Sequence, residues 1–338
     1  MRYLARADVI RAAGTVDAVA AVRAALRLHA EKATTLPDEA YLAWTTATGA
    51  FARSLALPGA LWGDEPAIGL KVINSSLSNV GNGRPRAQGL TMLFDRESAY
   101  PVVLLEAGYL SALRTAAYTA LSVEVLGRAA PAKVALIGCG ALGESHVRLL
   151  APRLPGAWFA LYDHDPGRLD AFAAALTADG IDCRPAGSAQ AAVAAADVVV
   201  TTTTTTTSYL PFGWLSPGAL VAHVSLDDVE PDVVARADLV VVDDWPLVRS
   251  DDRRLLGRMY REGTLIGPDG EAFSSPDPAA RRLDGSLADV IAGRVTGRTS
   301  DEQIVLSNPF GMGILDVALA ARVAEVAARE GLGTVLPT

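Results

Sequence analysis

The stretch that most limits what this chain can become is Lys133-Val134-Ala135-Leu136-Ile137-Gly138-Cys139-Gly140-Ala141-Leu142-Gly143-Glu144-Ser145. The apolar run reads as a buried strand, the glycines as a tight turn, and the residues after Gly140 as a helix start. Gly138, Gly140 and Gly143 make the spacing G-x-G-x-x-G. The first glycine permits the turn, the second lets a pyrophosphate approach the backbone, and the third lets helix and strand pack closely. N–H groups at the helix start, at Ala141, Leu142 and Gly143, then face the phosphates. A second apolar run, Trp158 to Tyr162, ends at Asp163-His164-Asp165, where a carboxylate is placed to hold a ribose diol. Strand, loop, helix, strand and acid in this order predict a dinucleotide site. Asp163 and Asp165 favour NAD over NADP, because they repel a 2′-phosphate.

More strands follow. Residues 197–201 continue into seven threonines, Thr201 to Thr207, which read as a strand whose hydroxyls line the carboxyl edge of the sheet. Thr201 and Thr202 are its first candidates for cofactor contact. Residues 220–226 form a fifth strand that carries Ser225, a further cofactor candidate, and ends at Asp227-Asp228. A sixth, residues 239–242, ends at Asp243-Asp244. One of Asp227 and Asp228 is positioned to take a proton or hold a substrate ammonium, or else to serve as a turn acid. His223 reads as a core residue. No His/Cys cluster has metal-ligand spacing, so no metal is expected. Residues 248–300 read as polar loops, apart from a short helix over 287–291.

The first third is different. Helices are expected within residues 8–32 and 110–126. Strands are expected at 41–46, 49–57 and 67–74, with a hairpin from 90–95 and 100–106. A last helix, residues 314–329, is placed to return onto this unit. The expected fold class is therefore α/β: a Rossmann dinucleotide-binding domain over 116–307, and an α+β substrate and oligomerisation domain from 1–115 and 308–338. Arg53, Lys71 and Arg114 stand at strand or helix ends beside apolar sequence. An arginine fork fits a carboxylate, and a buried lysine moves protons once its pKa falls. Surface ion pairs are the alternative. Arg84 and Arg86 read as an exposed loop able to reach a substrate or a neighbouring subunit.

At 338 residues the chain holds about two domains. Its net charge of −8 argues against nucleic acid held on a broad basic face. The arginines Arg253, Arg254 and Arg258 read as a solvated face. Two cysteines, Cys139 and Cys183, suit a reducing compartment, with Cys139 chosen for its small size in the turn. No signal peptide or membrane span is read, so a cytoplasmic protein is expected.

Several of these stretches together resemble the ornithine cyclodeaminase/μ-crystallin family. They are Gly69-Leu70-Lys71, Ala112-Leu113-Arg114-Thr115-Ala116-Ala117, the glycine loop, and Phe310-Gly311-Met312-Gly313-Ile314-Leu315-Asp316. The resemblance implies a Rossmann domain, a substrate domain completed by the C-terminal helix, an amino-acid substrate and a homodimer. Lys71 matches the family's active-site lysine, Arg53 and Arg114 its carboxylate-binding arginines, and Asp227 or Asp228 its aspartate for the substrate amine.

Lys71-Val72-Ile73-Asn74-Ser75-Ser76, Pro85-Arg86-Ala87, His223 to Asp228, and Ser307 to Gly311 resemble one branch more closely. Its members are NAD-dependent N-(2-amino-2-carboxyethyl)-L-glutamate dehydrogenases. They form 2,3-diaminopropionate for siderophores and peptide antibiotics. Asp227 departs from this pattern, since the branch usually has a basic residue there. The stretch 248–285 is longer than usual and is expected to act as a lid or subunit contact. The rival activities in the family are ornithine or lysine cyclodeamination, imine reduction, and noncatalytic binding of NAD(P)H.

Overall fold

The computed structural model describes residues 1–337 and divides into two compact units, residues 1–117 with 311–337, and residues 118–310.

The first unit is a mostly antiparallel sheet covered by helices. Helices α1 (Arg6–Ala13) and α2 (Ala18–Ala30) lead it, and the Asp17 carboxylate caps α2 by accepting from the Val19 and Ala20 N–H groups. The strands β1 (Ala40–Thr45), β2 (Phe51–Leu61), β3 (Ala67–Ser76), β4 (Ala87–Phe94) and β5 (Pro101–Glu106) pair in sequence order. Beyond β5 the sheet continues with Arg2–Leu4 in parallel and Thr334–Val335 antiparallel to that.

The C-terminal helix (Gly313–Arg329) packs on α1, α2 and strands β2 to β4. Ile314, Leu315, Val317, Leu319, Ala320 and Val323 are buried along it. Each large aliphatic side chain among them contributes about 1.5–3 kcal/mol by leaving water. A Cβ on Gly313 would stand 2.6 Å from the Pro58 carbonyl, so only glycine lets the helix begin this close to β2. That approach seats Asp316, inside the first turn, in the interior. After β5, helix α3 (Ala107–Leu126) leads into the second unit.

The second unit is a parallel sheet. Its elements are β6 (Lys133–Ile137), α4 (Ala141–Leu150), β7 (Trp158–Tyr162), α5 (Pro166–Ala178), β8 (Cys183–Pro185), β9 (Val198–Thr201), β10 (Leu220–His223), β11 (Leu239–Val242), α6 (Trp245–Ser250), α7 (Leu255–Glu262), β12 (Gly285–Ser286) and β13 (Val305–Asn308). The strand order is β8-β7-β6-β9-β10-β13-β11-β12. Every residue of β9, β10, β11 and β13 is buried, as expected of strands covered on both faces. The winding reverses between β6 and β9, which makes the carboxyl ends of these two strands the ligand-binding crevice of such a sheet.

The structure corrects three sequence readings. The strand of threonines stops at Thr201. Beyond it the hydroxyls of Thr203 and Thr205 accept from the N–H groups of Thr205 and Thr207, and this local bonding displaces the ladder. Strand β10 stops at His223, because the chain turns back so that the Asp228 N–H donates to His223 Nε2. The polar stretch after residue 248 is not all loop. Asp244 caps α6, and α7 buries Leu255, Leu256, Met259 and Tyr260 on one face, which its arginines disguise in the sequence. Among the described residues no helix is long and apolar enough to cross a membrane, and no group of His, Cys, Asp and Glu is arranged to hold a metal.

Candidate active site

In the first unit, β3 presents Lys71, and α3 presents Ser111 and Arg114 one helical turn apart. Lys71 Nζ donates to Asp316 Oδ2 at 2.7 Å and to Ser111 Oγ at 3.1 Å. Arg114 Nε donates to Asp316 Oδ1 at 3.1 Å. Lys71, Arg114 and Asp316 are 3%, 6% and 1% exposed, so one carboxylate serves two buried cations. Burial lowers the Lys71 pKa to about 8, Arg114 pushes it the same way, and Asp316 opposes both. A lysine tuned this way changes charge near neutrality. Arg114 spends Nε on Asp316, and its two terminal nitrogens have no acceptor among the described residues, which leaves the fork open to a carboxylate. Arg53 stands elsewhere on the sheet, opposite Ser75, and donates from Nε to Ser75 Oγ at 3.2 Å. Arg86, expected on an exposed loop, is half-buried at the entry to β4.

In the second unit, Gly138 takes a φ of +103° at the end of β6, and a Cβ on Gly143 would stand 2.3 Å from the Gly138 carbonyl. Gly140 is the N-cap of α4, has no side chain to cap it, and a Cβ there would meet nothing within 4 Å. Open space over uncapped helical N–H groups, including those of Ala141 and Leu142, fits a diphosphate. Two variants separate these roles. Gly143→Ala forces strand and helix apart and destabilises the protein by about 1–3 kcal/mol, read by urea unfolding. Gly140→Ala leaves stability within about 0.5 kcal/mol but weakens NADH binding on the order of tenfold, read by fluorescence titration.

Asp163 Oδ2 accepts from the Cys139 N–H at 2.8 Å, and Oδ1 from the Asp165 N–H at 3.0 Å. The acid thus braces the glycine loop at the place where a ribose would meet it. Thr201 lies at the end of β9. It is fully buried, and the Ser225 hydroxyl donates toward its Oγ1 at 2.9 Å and its carbonyl at 3.2 Å. Thr202 donates to the Gly138 carbonyl at 2.8 Å. Thr202 thus supports the loop from within the fold, and Ser225 is tied to the end of β9.

The two candidate acids differ. Asp227 is paired with Arg258 from α7. Asp228 is fully buried, and its Oδ1 accepts from Tyr209 Oη and Thr203 Oγ1, each at 2.8 Å. Its Oδ2 is buried with no hydrogen-bond partner among the described residues. Burial raises the Asp228 pKa, against the pull of its hydroxyl donors. Asp228 therefore keeps one carboxylate oxygen unpartnered, whereas Asp227 is held in an ion pair.

Asp316, Tyr209 and Arg258 carry no role in the sequence reading. A signal for Asp316 exists, since it is an acid among Ile314, Leu315, Val317 and Leu319 on a helix that must be buried. Tyr209 and Arg258 reach their partners only through the fold. The arginines read as a solvated face are corrected too: Arg253 binds Asp251, Arg254 lies over the Phe310 ring at 4.1 Å, and Arg258 holds Asp227. Cys139 is buried, and burial pushes its thiol up to about 12, so it stays protonated. His146 and His223 are fully buried and pushed by desolvation down to about 4 and about 3, which keeps both neutral.

Comparison with known proteins follows the same lines. The structure is similar to the crystal structure of CmnK, with a TM-score of 0.90 and 41% identity, covering 100% of this chain and 98% of that one. The N-((2S)-2-amino-2-carboxyethyl)-L-glutamate dehydrogenase of Staphylococcus aureus is 28% identical, covering 99% of this chain and 98% of its own. The fold is also that of the Thermococcus litoralis Delta(1)-pyrroline-2-carboxylate reductase solved with NADH and L-proline, with a TM-score of 0.86 at 21% identity, covering 99% of this chain and 100% of that one. Residues 3–331 match the family model, and with it the expected Rossmann architecture and the resemblance read from the motifs are borne out: the chain belongs to the ornithine cyclodeaminase/mu-crystallin family.

Proposed function

We propose that this oxidoreductase oxidises the glutamate α-carbon of N-(2-amino-2-carboxyethyl)-L-glutamate, with NAD as acceptor. The observation that carries the reading is the Lys71–Asp316–Arg114 cluster, a lysine of lowered pKa beside an open arginine fork. Likeness to the staphylococcal dehydrogenase across nearly the whole chain supports the choice of substrate. Bound NAD supplies the hydride acceptor. Gly138 to Gly143 would hold its diphosphate, and Asp163 its ribose. Arg114 holds the carboxylate beside the reacting carbon, which limits the orientations that the carbon can take. Neutral Lys71 accepts the proton released from the secondary amine as the carbon loses hydride. Asp228 is the second proton group and serves the addition of water to the imine. The balance is one conjugate, one NAD and one water giving 2-oxoglutarate, 2,3-diaminopropionate, NADH and a proton.

Incubation of the protein with the conjugate and NAD, followed by mass detection, tests the reading. It predicts 2-oxoglutarate and 2,3-diaminopropionate in equal amounts. Ammonia released from ornithine or lysine with no build-up of NADH points instead to a cyclodeaminase. Cofactor choice follows from the acids that close β7. NADH binds at least about tenfold more tightly than NADPH, because Asp163 and Asp165 repel a 2′-phosphate. Equal affinities in a titration contradict this.

We also propose a homodimer formed through the first unit. All six residues of β1 are exposed, and Leu42, Trp44 and Phe51 stand 63%, 45% and 47% exposed. Light scattering is expected to report a dimer, and the double variant L42D/W44D a monomer.

A further inference from the structure

Lys71 is shut away from water. It is 3% exposed, and Asp316, which takes one of its protons at 2.7 Å, is 1% exposed. Among the described residues the other hydrogen-bond partner of Lys71 Nζ is Ser111 Oγ, at 3.1 Å. Ser111 is half-buried, so of these two partners it alone has an open side. A general base must receive its proton along some path. Asp316 is sealed in and also holds Arg114, which leaves the serine as the way in and out. The hydroxyl has the chemistry for this. It carries one proton and two lone pairs, and the O–H rotates to suit its partner. An ammonium has only protons to offer, so beside charged Lys71 the serine accepts and its own proton points elsewhere. No acceptor for that proton stands among the described residues. Neutral Lys71 has a lone pair, and the same hydroxyl turns to donate to it. One contact thus serves both charge states, in opposite directions. The next hydroxyl along the helix is already used, since Thr115 Oγ1 donates to the Ser111 carbonyl at 2.8 Å.

We infer that the Ser111 hydroxyl relays the proton between the substrate nitrogen and Lys71. This deepens the function proposed above and rests on its use of Lys71 as the base. Ser111 stands three residues before Arg114 on α3, so the hydroxyl and the guanidinium share one face of the helix. A substrate whose carboxylate is held by Arg114 therefore has its amine one helical turn away, on the serine's side. As hydride leaves the carbon, the proton on the substrate nitrogen passes to Ser111 Oγ, and the proton of Ser111 passes to Lys71 Nζ. The serine ends as it began, the lysine ends as an ammonium, and no other reactant is needed.

The chain has lysines only at Lys32, Lys71 and Lys133, so labelling them with a heavy nitrogen isotope lets NMR follow the Lys71 ammonium in the full chain. The test is the rate at which its Nζ protons exchange with water, in wild type, Ser111→Thr and Ser111→Val. Threonine and valine share a shape and differ by the hydroxyl, so the pair separates the relay from packing. Ser111→Thr is expected to exchange as wild type does. Ser111→Val is expected to exchange about tenfold or more slowly, the worth of one hydrogen bond to a charged group. The kcat for the conjugate falls with it, while KM changes little. Exchange in Ser111→Val as fast as in wild type overturns the inference. So does a slowing shared equally by both variants, because shape and not the hydroxyl then governs the lysine. Because exchange is read without turnover, the two readings fail separately. Slowed exchange in a protein that does not oxidise the conjugate leaves the relay standing and removes the proposed reaction, and oxidation at the wild-type rate by Ser111→Val does the reverse.

Discussion

Lys71→Met is expected to lower kcat for oxidation of the conjugate by about 10²–10⁴-fold, the usual worth of a positioned general base, while NADH binding persists. Methionine is similar in length and suits the buried setting, so the packing around β3 survives. Asp316 keeps Arg114 as its partner at 3.1 Å, which leaves a neutral buried pair and not a stranded charge. The lost function is the exchangeable proton. In the proposed mechanism the reacting form is the neutral amine, so kcat/KM is expected to rise with pH through about 8, the value to which burial brings the Lys71 ammonium. The residual activity of the variant lacks that limb. A pH profile of kcat/KM for both proteins checks the claim, and an unchanged limb in Lys71→Met assigns the titration to another group.

Asp316→Asn is expected to damage both stability and the pH profile. It keeps the shape of the side chain and removes the one negative charge between Lys71 and Arg114, which are 3% and 6% exposed. Removing one partner from a buried ionic cluster typically costs about 3–5 kcal/mol, which urea unfolding at neutral pH reads directly. The sign of the second effect follows from the causes of the Lys71 shift. Asp316 raises the lysine pKa while burial and Arg114 lower it, so without the carboxylate the value falls further. The ascending limb of kcat/KM therefore moves to lower pH. Because the folded pKa lies below the unfolded one, the unfolded chain binds the extra proton between the two values, and stability rises with pH there by at most about 1.4 kcal/mol per unit. In the variant that window opens at lower pH. A limb that stays near pH 8 shows that Asp316 is not the counter-ion that sets Lys71.

The Rossmann half was legible because local rules and the final fold agree there. A glycine loop between a buried strand and a helix has few other uses, and Gly140 and Gly143 meet the open space and close contact that their spacing requires. Lys71 and Arg114 were legible through motifs, but their common partner was not. Asp316 lies 245 residues beyond Lys71, and only the return of the C-terminal helix brings it near. The threonine run misled because β propensity cannot see that Thr203 and Thr205 accept from backbone N–H groups two residues ahead. Arg258 was read as solvated because the buried stripe of α7 is hidden by its charges. In the fold it meets Asp227, so a cation stands beside that aspartate.

In the proposed reaction hydride leaves the glutamate α-carbon of a two-part amino acid and ends on NAD. The direct measurement uses the conjugate deuterated at that carbon, with NAD, and follows the label and the products together. One deuterium on the reduced nicotinamide is expected for each 2-oxoglutarate formed, with net NADH accumulation. Reduced nicotinamide without the label, or turnover that releases ammonia with no net NADH, contradicts it.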